Sequence, residues 1–205
     1  MDLAQAFCNI LPMTETRFNK PDAGTSYTWL HVLNAVLLLG LWVFAIGAYP
    51  GLPEQVPGHI GGSGVTRWDA KQSSPWFILP IIALVNAAMM YGISAISHST
   101  PGSFNVPAKT QLMKLPREGQ RYAMAPMRGF MYGMATWLLV LLGYIQVEMY
   151  RIAHAGPGAD VATSGLLWVT ILMVAAVVIM AVRMSGTVKR RIMEWESTQP
   201  TPEEA

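Results

Sequence analysis

The run WLHVLNAVLLLGLWVFAIGAY, Trp29–Tyr49, carries no Asp, Glu, Lys or Arg in 21 residues. As an α-helix rising ~1.5 Å per residue it reaches ~31 Å, the thickness of a bilayer's hydrocarbon core. Three more runs share its length and character: Pro75–Ser97, Gly129–Tyr150 and Thr163–Val182. Their one carboxylate, Glu148, stands near an end and three residues before Arg151, a spacing that predicts a local ion pair. The expected fold class is an all-α membrane protein: one domain over residues 1–205, with four transmembrane helices. Residues 1–26 form an N-terminal segment and residues 183–205 a tail.

Composition agrees. The chain is 52% hydrophobic and 13% charged, with a mean hydropathy of +0.34; a soluble domain carries about 25% charge. A net charge of +2 gives no footprint for nucleic acid. Its distribution says more. Eleven of the fourteen Lys and Arg residues fall in the N-terminal segment, the second connector and the tail, and three (Arg67, Lys71, Arg151) in the first and third connectors. Positive residues are retained in the cytoplasm, so both termini are expected inside and the first connector outside. The long mixed segment ahead of Trp29 is unlike a signal peptide, so the first span is expected to stay as an anchor. Lone Cys8 has no partner for a disulfide.

The connectors differ in kind. Pro50, Gly51, Pro53, Pro57, Gly58, Gly61, Gly62 and Gly64 crowd the first, which predicts an ordered external loop of tight turns. The second, His98–Arg128, mixes bases with Leu112, Met113, Leu115, Tyr122, Met124 and Met127, the pattern of a segment lying on a membrane surface. Pro80 predicts a kink or loosened turn early in the second span. Gly129 and Gly133 form a small-xxx-small pair that permits close helix approach, and Asn34, Asn86 and Gln146 are expected to bond across helices. The fourth helix is expected to continue through Trp195. The basic cluster Lys189, Arg190 and Arg191 is the expected contact for anionic lipid.

Within the first connector, Leu52-Pro53-Glu54-Gln55-Val56-Pro57-Gly58-His59, then Gly64, Trp68 and Lys71, resembles the short domain of unknown function in SdpI-type bacteriocin-immunity membrane proteins. The matched positions are Leu52, Pro53, Val56, Pro57, His59, Gly64, Trp68 and Lys71, and the resemblance covers roughly Leu33–Ala87. Family loops often carry an Asp before the Trp; here Arg67 holds that place and Asp69 follows. The resemblance implies a bacterial cytoplasmic (inner) membrane protein with an ordered loop after its first helix. In that loop the prolines limit the backbone, Gly64 permits a turn, and His59 is expected to bond loop carbonyls and lock it. Trp68 is expected at the membrane interface and Lys71 at lipid phosphate. The alternative makes His59, Glu54 and Asp69 a recognition or metal site.

No Ser-His-Asp arrangement, HExxH, Walker loop or GxGxxG occurs, and the methionines are scattered as adaptable packing. The functional expectation is non-enzymatic: a membrane protein that binds lipids and a protein partner, as an accessory subunit of a larger complex, as its own oligomer, or as an SdpI-like immunity or sensor protein. No cofactor is expected. The alternative is a redox protein holding haem b between His31 and His98, one from each of two spans.

Overall fold

The computed structural model describes residues 26–61, 64–157 and 164–198. In chain order these form α1 (Thr28–Ala48), β1 (Gln55–Gly61), β2 (Gly64–Ala70), α2 (Ser73–Ser99), a 3₁₀ turn (Pro101–Ser103), α3 (Lys109–Lys114), α4 (Arg117–Ala155) and α5 (Ser164–Ser197). Four of the helices, α1, α2, α4 and α5, are long and apolar enough to cross a membrane. Local chemistry sets their ends. Pro50 and Gly51 follow α1; Thr100 leaves the helical region ahead of Pro101 and closes α2. α4 begins after Pro116 and stops at Gly156, whose φ of +81° suits glycine.

α4 is the central helix, in contact with α1, α2 and α5. Leu41, Ala83 and Leu139 meet at mid-depth, one from each of α1, α2 and α4. α5 packs on α4 and leaves Leu167, Leu172, Val178 and Val182 exposed. In a bilayer that face needs no cover, because lipid tails are as apolar as leucine. Gly129 and Gly133 serve two neighbours rather than one helix pair. A Cβ on Gly129 would meet the Tyr27 ring, and one on Gly133 the end of Met180 on α5.

Two helices outgrow the membrane. At 39 residues α4 extends ~58 Å, and at 34 residues α5 extends ~51 Å, against a hydrocarbon core of ~30 Å. Their overhangs lie side by side at the end opposite the hairpin and build a core of their own. This corrects the expectation for the second connector. Leu112, Leu115, Tyr122, Met124 and Met127 are buried against Val188, Ile192 and Trp195 rather than spread on lipid; Met113 alone of the six stays exposed. The cause is α5, which continues to Ser197 and presents an apolar stripe spaced four and three residues apart. Trp195 lies flat on α4 because position 119 is glycine: a Cβ there would press on its indole.

Proline creates the strongest demand in the bundle. Pro80 and Pro126 sit inside α2 and α4, and each lacks the N–H that would bond four residues back. The freed acceptors are the carbonyls of Trp76 and Tyr122, and both are met from a neighbouring helix. Gln146 Nε2 on α4 donates to Trp76 O at 3.3 Å, and Arg191 Nη1 on α5 donates to Tyr122 O at 3.1 Å. The Arg191 guanidinium also lies 4.9 Å above the Tyr122 ring, whose hydroxyl donates to Glu194 Oε2 at 2.9 Å. Prolines persist in membrane helices where neighbours satisfy the carbonyl in this way. Both helices run on through their prolines.

Gln146 and Pro80 are therefore energetically coupled. Gln146→Leu is expected to lower stability in detergent by ~1 kcal/mol, the scale of one hydrogen bond. Pro80→Ala restores an N–H to Trp76 O, so on that background Gln146→Leu is expected to cost much less. Equal losses in a double-mutant cycle would show that the side chain does not serve the proline gap.

Candidate functional site

At the hairpin end the Pro/Gly-rich connector is an antiparallel ribbon, not the compact loop of turns expected from its composition. Gln55 pairs with Ala70, Val56 with Asp69, Pro57 with Trp68, Ile60 with Val65 and Gly61 with Gly64. Register shifts on both sides of His59, which pairs with Arg67, leave Gly58 on β1 and Thr66 on β2 out of the ladder. Pro57 is tolerated because each strand of a two-stranded ribbon is an edge with one free side. Gly64, at φ +108°, holds a backbone shape that other residues resist.

The residue that fastens this ribbon is Lys71. Its Nζ donates to Pro50 O and Leu52 O, each at 3.1 Å, and its backbone N–H to Glu54 O at 2.7 Å. The ammonium also lies 5.0 Å over the Tyr49 ring. One side chain thus ties the end of β2 to the chain leaving α1. Beneath it, Leu52, Val56, Trp76 and Ala153 form a buried cluster, and Trp76 Nε1 donates to Ala45 O at 2.8 Å. The lock expected of His59 is therefore held by Lys71, and Lys71 faces carbonyls rather than lipid phosphate. His59, paired with Arg67 in the ladder, is exposed. Pro53 and Trp68 are half-buried.

Between the ribbon, the start of α2 and the end of α4 lies an open cleft of about 430 Å³. Val56, Pro57, Leu79, Ile145 and Met149 give it apolar walls, with Arg67, Asp69 and Gln72 among its polar residues. Arg67 Nη2 lies 2.9 Å from Asp69 Oδ2 and donates to Gly58 O at 3.5 Å. A Cβ on Gly58 would meet the Asp69 carboxylate, which would have to shift from its present place beside Arg67. The Arg67 and Asp69 side chains are 66% and 40% exposed. Such a pair adds only ~0–1 kcal/mol to stability, so its chief effect is to set a fixed charge pattern beside an apolar cleft. Glu54 and His59 point to solvent and Asp69 is engaged by Arg67. Among the described residues no three His, Cys, Asp or Glu gather as metal ligands.

The second constellation crosses α1, α2 and α4. Asn34, 4% exposed, donates through Nδ2 to Tyr132 O at 3.1 Å and accepts from Thr136 Oγ1 at 2.7 Å. His31 Nδ1 is 3.0 Å from Tyr91 Oη, and the His31 ring centroid is 4.4 Å from that of Tyr132. This polar and aromatic knot braces three helices. It does not fit bis-histidine haem. His98 is exposed at the end of α2, two turns and ~10 Å along the axis from Tyr91, to which His31 is fastened. The imidazoles do not flank one space at a common depth. Thr136, Tyr91 and Tyr132 carry no motif, and their partnership arises only when three helices align. Asn86 departs from expectation, bonding Ile82 O in its own helix, whereas Asn34 and Gln146 bond across helices. Glu148 pairs with Arg151 at 2.8 Å as its spacing predicts.

The basic cluster at the other end is divided. Arg191 turns inward to Tyr122, Arg190 pairs with Glu194 at 3.4 Å, and Lys189 is exposed. Consecutive residues of a helix point ~100° apart, so the three side chains leave α5 in different directions. Cys8, Arg17 and Lys20 lie outside the described residues. No family model, curated protein or solved structure matches this chain.

The two loop residues are expected to part in experiment. Lys71→Met should lower thermal stability in detergent by ~1–2 kcal/mol, the cost of charge-assisted bonds to two carbonyls. His59→Ala should leave the melting temperature unchanged. A larger loss from His59→Ala would return the lock to histidine.

Proposed function

We propose that this chain is a non-enzymatic multi-pass membrane protein that receives an extended segment of a partner protein along β2, over the cleft at the hairpin end. The observation that carries this is the open cleft flanked by a strand edge. Among the described residues β2 has no second neighbour in the sheet, so its outward N–H and C=O groups offer a template for another backbone. A lipid chain would fill the apolar walls but leave those groups unmatched. A peptide meets both, and the Arg67–Asp69 pair supplies a charge pattern that selects among peptides.

The membrane we propose is the bacterial cytoplasmic membrane, with both termini inside and the hairpin outside, on the partition of eleven Lys and Arg residues against three. In that orientation the cleft faces material arriving from outside. This reading covers an accessory subunit, which would co-purify in fixed stoichiometry, and an SdpI-like immunity or sensor protein, which would protect cells against a secreted peptide.

A photo-reactive amino acid in place of Thr66, exposed on β2, is expected to trap a discrete protein adduct in native membranes. The same residue in place of Val178, on the exposed face of α5, should trap lipid. Arg67→Ala with Asp69→Ala should remove the Thr66 adduct while protein abundance holds. Lipid adducts at both positions would overturn the partner reading. For orientation, a membrane-impermeant thiol reagent on intact cells is expected to leave Cys8 unmodified; labelling as strong as in lysed cells would invert the topology.

A further inference from the structure

At the end opposite the hairpin, the chain leaving α2 and the first turns of α4 enclose a pocket of about 310 Å³. It is more polar than the cleft: Ser99, Thr100, Ser103, Arg117, Gln120 and Arg121 line it beside the apolar Met113. Arg117 and Arg121 are one helical turn apart on α4, so their side chains emerge on the same side. Both are exposed, and among the described residues neither has an ion-pair partner. Glu118, the one carboxylate between them, leaves the helix ~100° away from Arg117 and is not among the residues that line the pocket.

The remaining donors are accounted for. Ser99 and Thr100 hydroxyls donate to Ile96 O, and Gln120 Nε2 to Leu115 O at 2.9 Å. The Ser103 hydroxyl carries no such bond and opens to the pocket. Arg117, Glu118 and Gly119 begin α4, where the first backbone N–H groups have no carbonyl one turn back. Two guanidiniums and a hydroxyl without bonded partners among the described residues thus line one small concave space at the start of a 39-residue helix. Guanidinium forks match the oxygens of phosphate two at a time.

We infer that this pocket binds a phosphate group, held by Arg117 and Arg121 with Ser103 completing the donor set. The phosphate belongs either to an anionic phospholipid headgroup or to a small soluble phosphate compound. Position allows both: Ser99 lies two residues past the apolar run of α2, whereas Arg117 stands nine residues beyond Pro126 on the overhang, toward solvent. The inference is independent of the partner proposed at the hairpin end.

The test uses the full chain in mild detergent. Native mass spectrometry with added phosphatidylglycerol or phosphatidylcholine reads the headgroup arm, and calorimetric titration with inorganic phosphate reads the soluble arm. Arg117→Gln with Arg121→Gln is expected to weaken whichever ligand binds by about tenfold or more. Lys109→Gln with Lys114→Gln, an equal loss of charge on neighbouring α3, should change it by less than about twofold. Retention of phosphatidylglycerol over phosphatidylcholine identifies a headgroup; saturable binding of inorganic phosphate to lipid-free protein identifies a soluble source. A melting temperature unchanged in the double arginine variant, with Arg121→Lys weakening binding less than Arg121→Gln, keeps the loss local. Equal weakening by both pairs of substitutions, or no binding in either arm, overturns the inference.

Discussion

A buried helix carbonyl that loses its donor must find another, and two prolines create that need here, Pro80 within a membrane span and Pro126 beside the packed overhang. Pro80 frees Trp76 O and Pro126 frees Tyr122 O, and each is met by a long polar side chain from the next helix, Gln146 or Arg191. These bonds do more than repair a gap. Because the donor must come from a particular height on a particular neighbour, each one sets the register of a helix pair: α2 against α4, and α4 against α5. Apolar side chains alone would allow such pairs to slide, since lipid gives them an equally good environment. The hairpin and the overhang core both rest on helices whose relative heights are set in this way.

At the hairpin end, the registered helices bring Trp76, Met149 and Ala153 under a ribbon that would be marginal alone. Lys71 closes it by gathering the carbonyls of Pro50 and Leu52, which lie between α1 and β1 and belong to no ladder. The consequence is a division of labour along a short stretch of sequence. Lys71 holds the ribbon, Gly58 makes room, and Arg67 and Asp69 are displayed beside the cleft with little part in stability. A site built on a stapled ribbon presents its charges in one fixed arrangement.

The opposite end shows how charge that looks uniform in sequence becomes specialised. Arg191 is drawn inward by a proline gap, Arg190 is paired with Glu194, and Arg117 and Arg121 line a pocket with no ion-pair partner among the described residues. All four count equally toward the positive-inside bias, because that bias responds to charge near the membrane and not to geometry. Their different neighbours follow from the overhang of α4 and α5. The overhang itself follows from Val188, Ile192 and Trp195 recurring on one helical face beyond the apolar run.

Span length, span number and the Glu148–Arg151 pair were legible from the sequence, because each depends on local spacing: a 20-residue apolar run needs a bilayer, and residues three apart on a helix are neighbours. The continuation of α5 past Trp195 was legible for the same reason. The hairpin was not. Its Pro and Gly content speaks against helix but does not distinguish irregular turns from a ribbon whose pairing depends on residues about ten apart meeting in register. The roles of Lys71, Gln146 and Arg191 were hidden too, since each serves a carbonyl, and every residue has a carbonyl. Which of them is orphaned follows from the prolines, but which side chain reaches it is decided only when the helices are packed at their final heights.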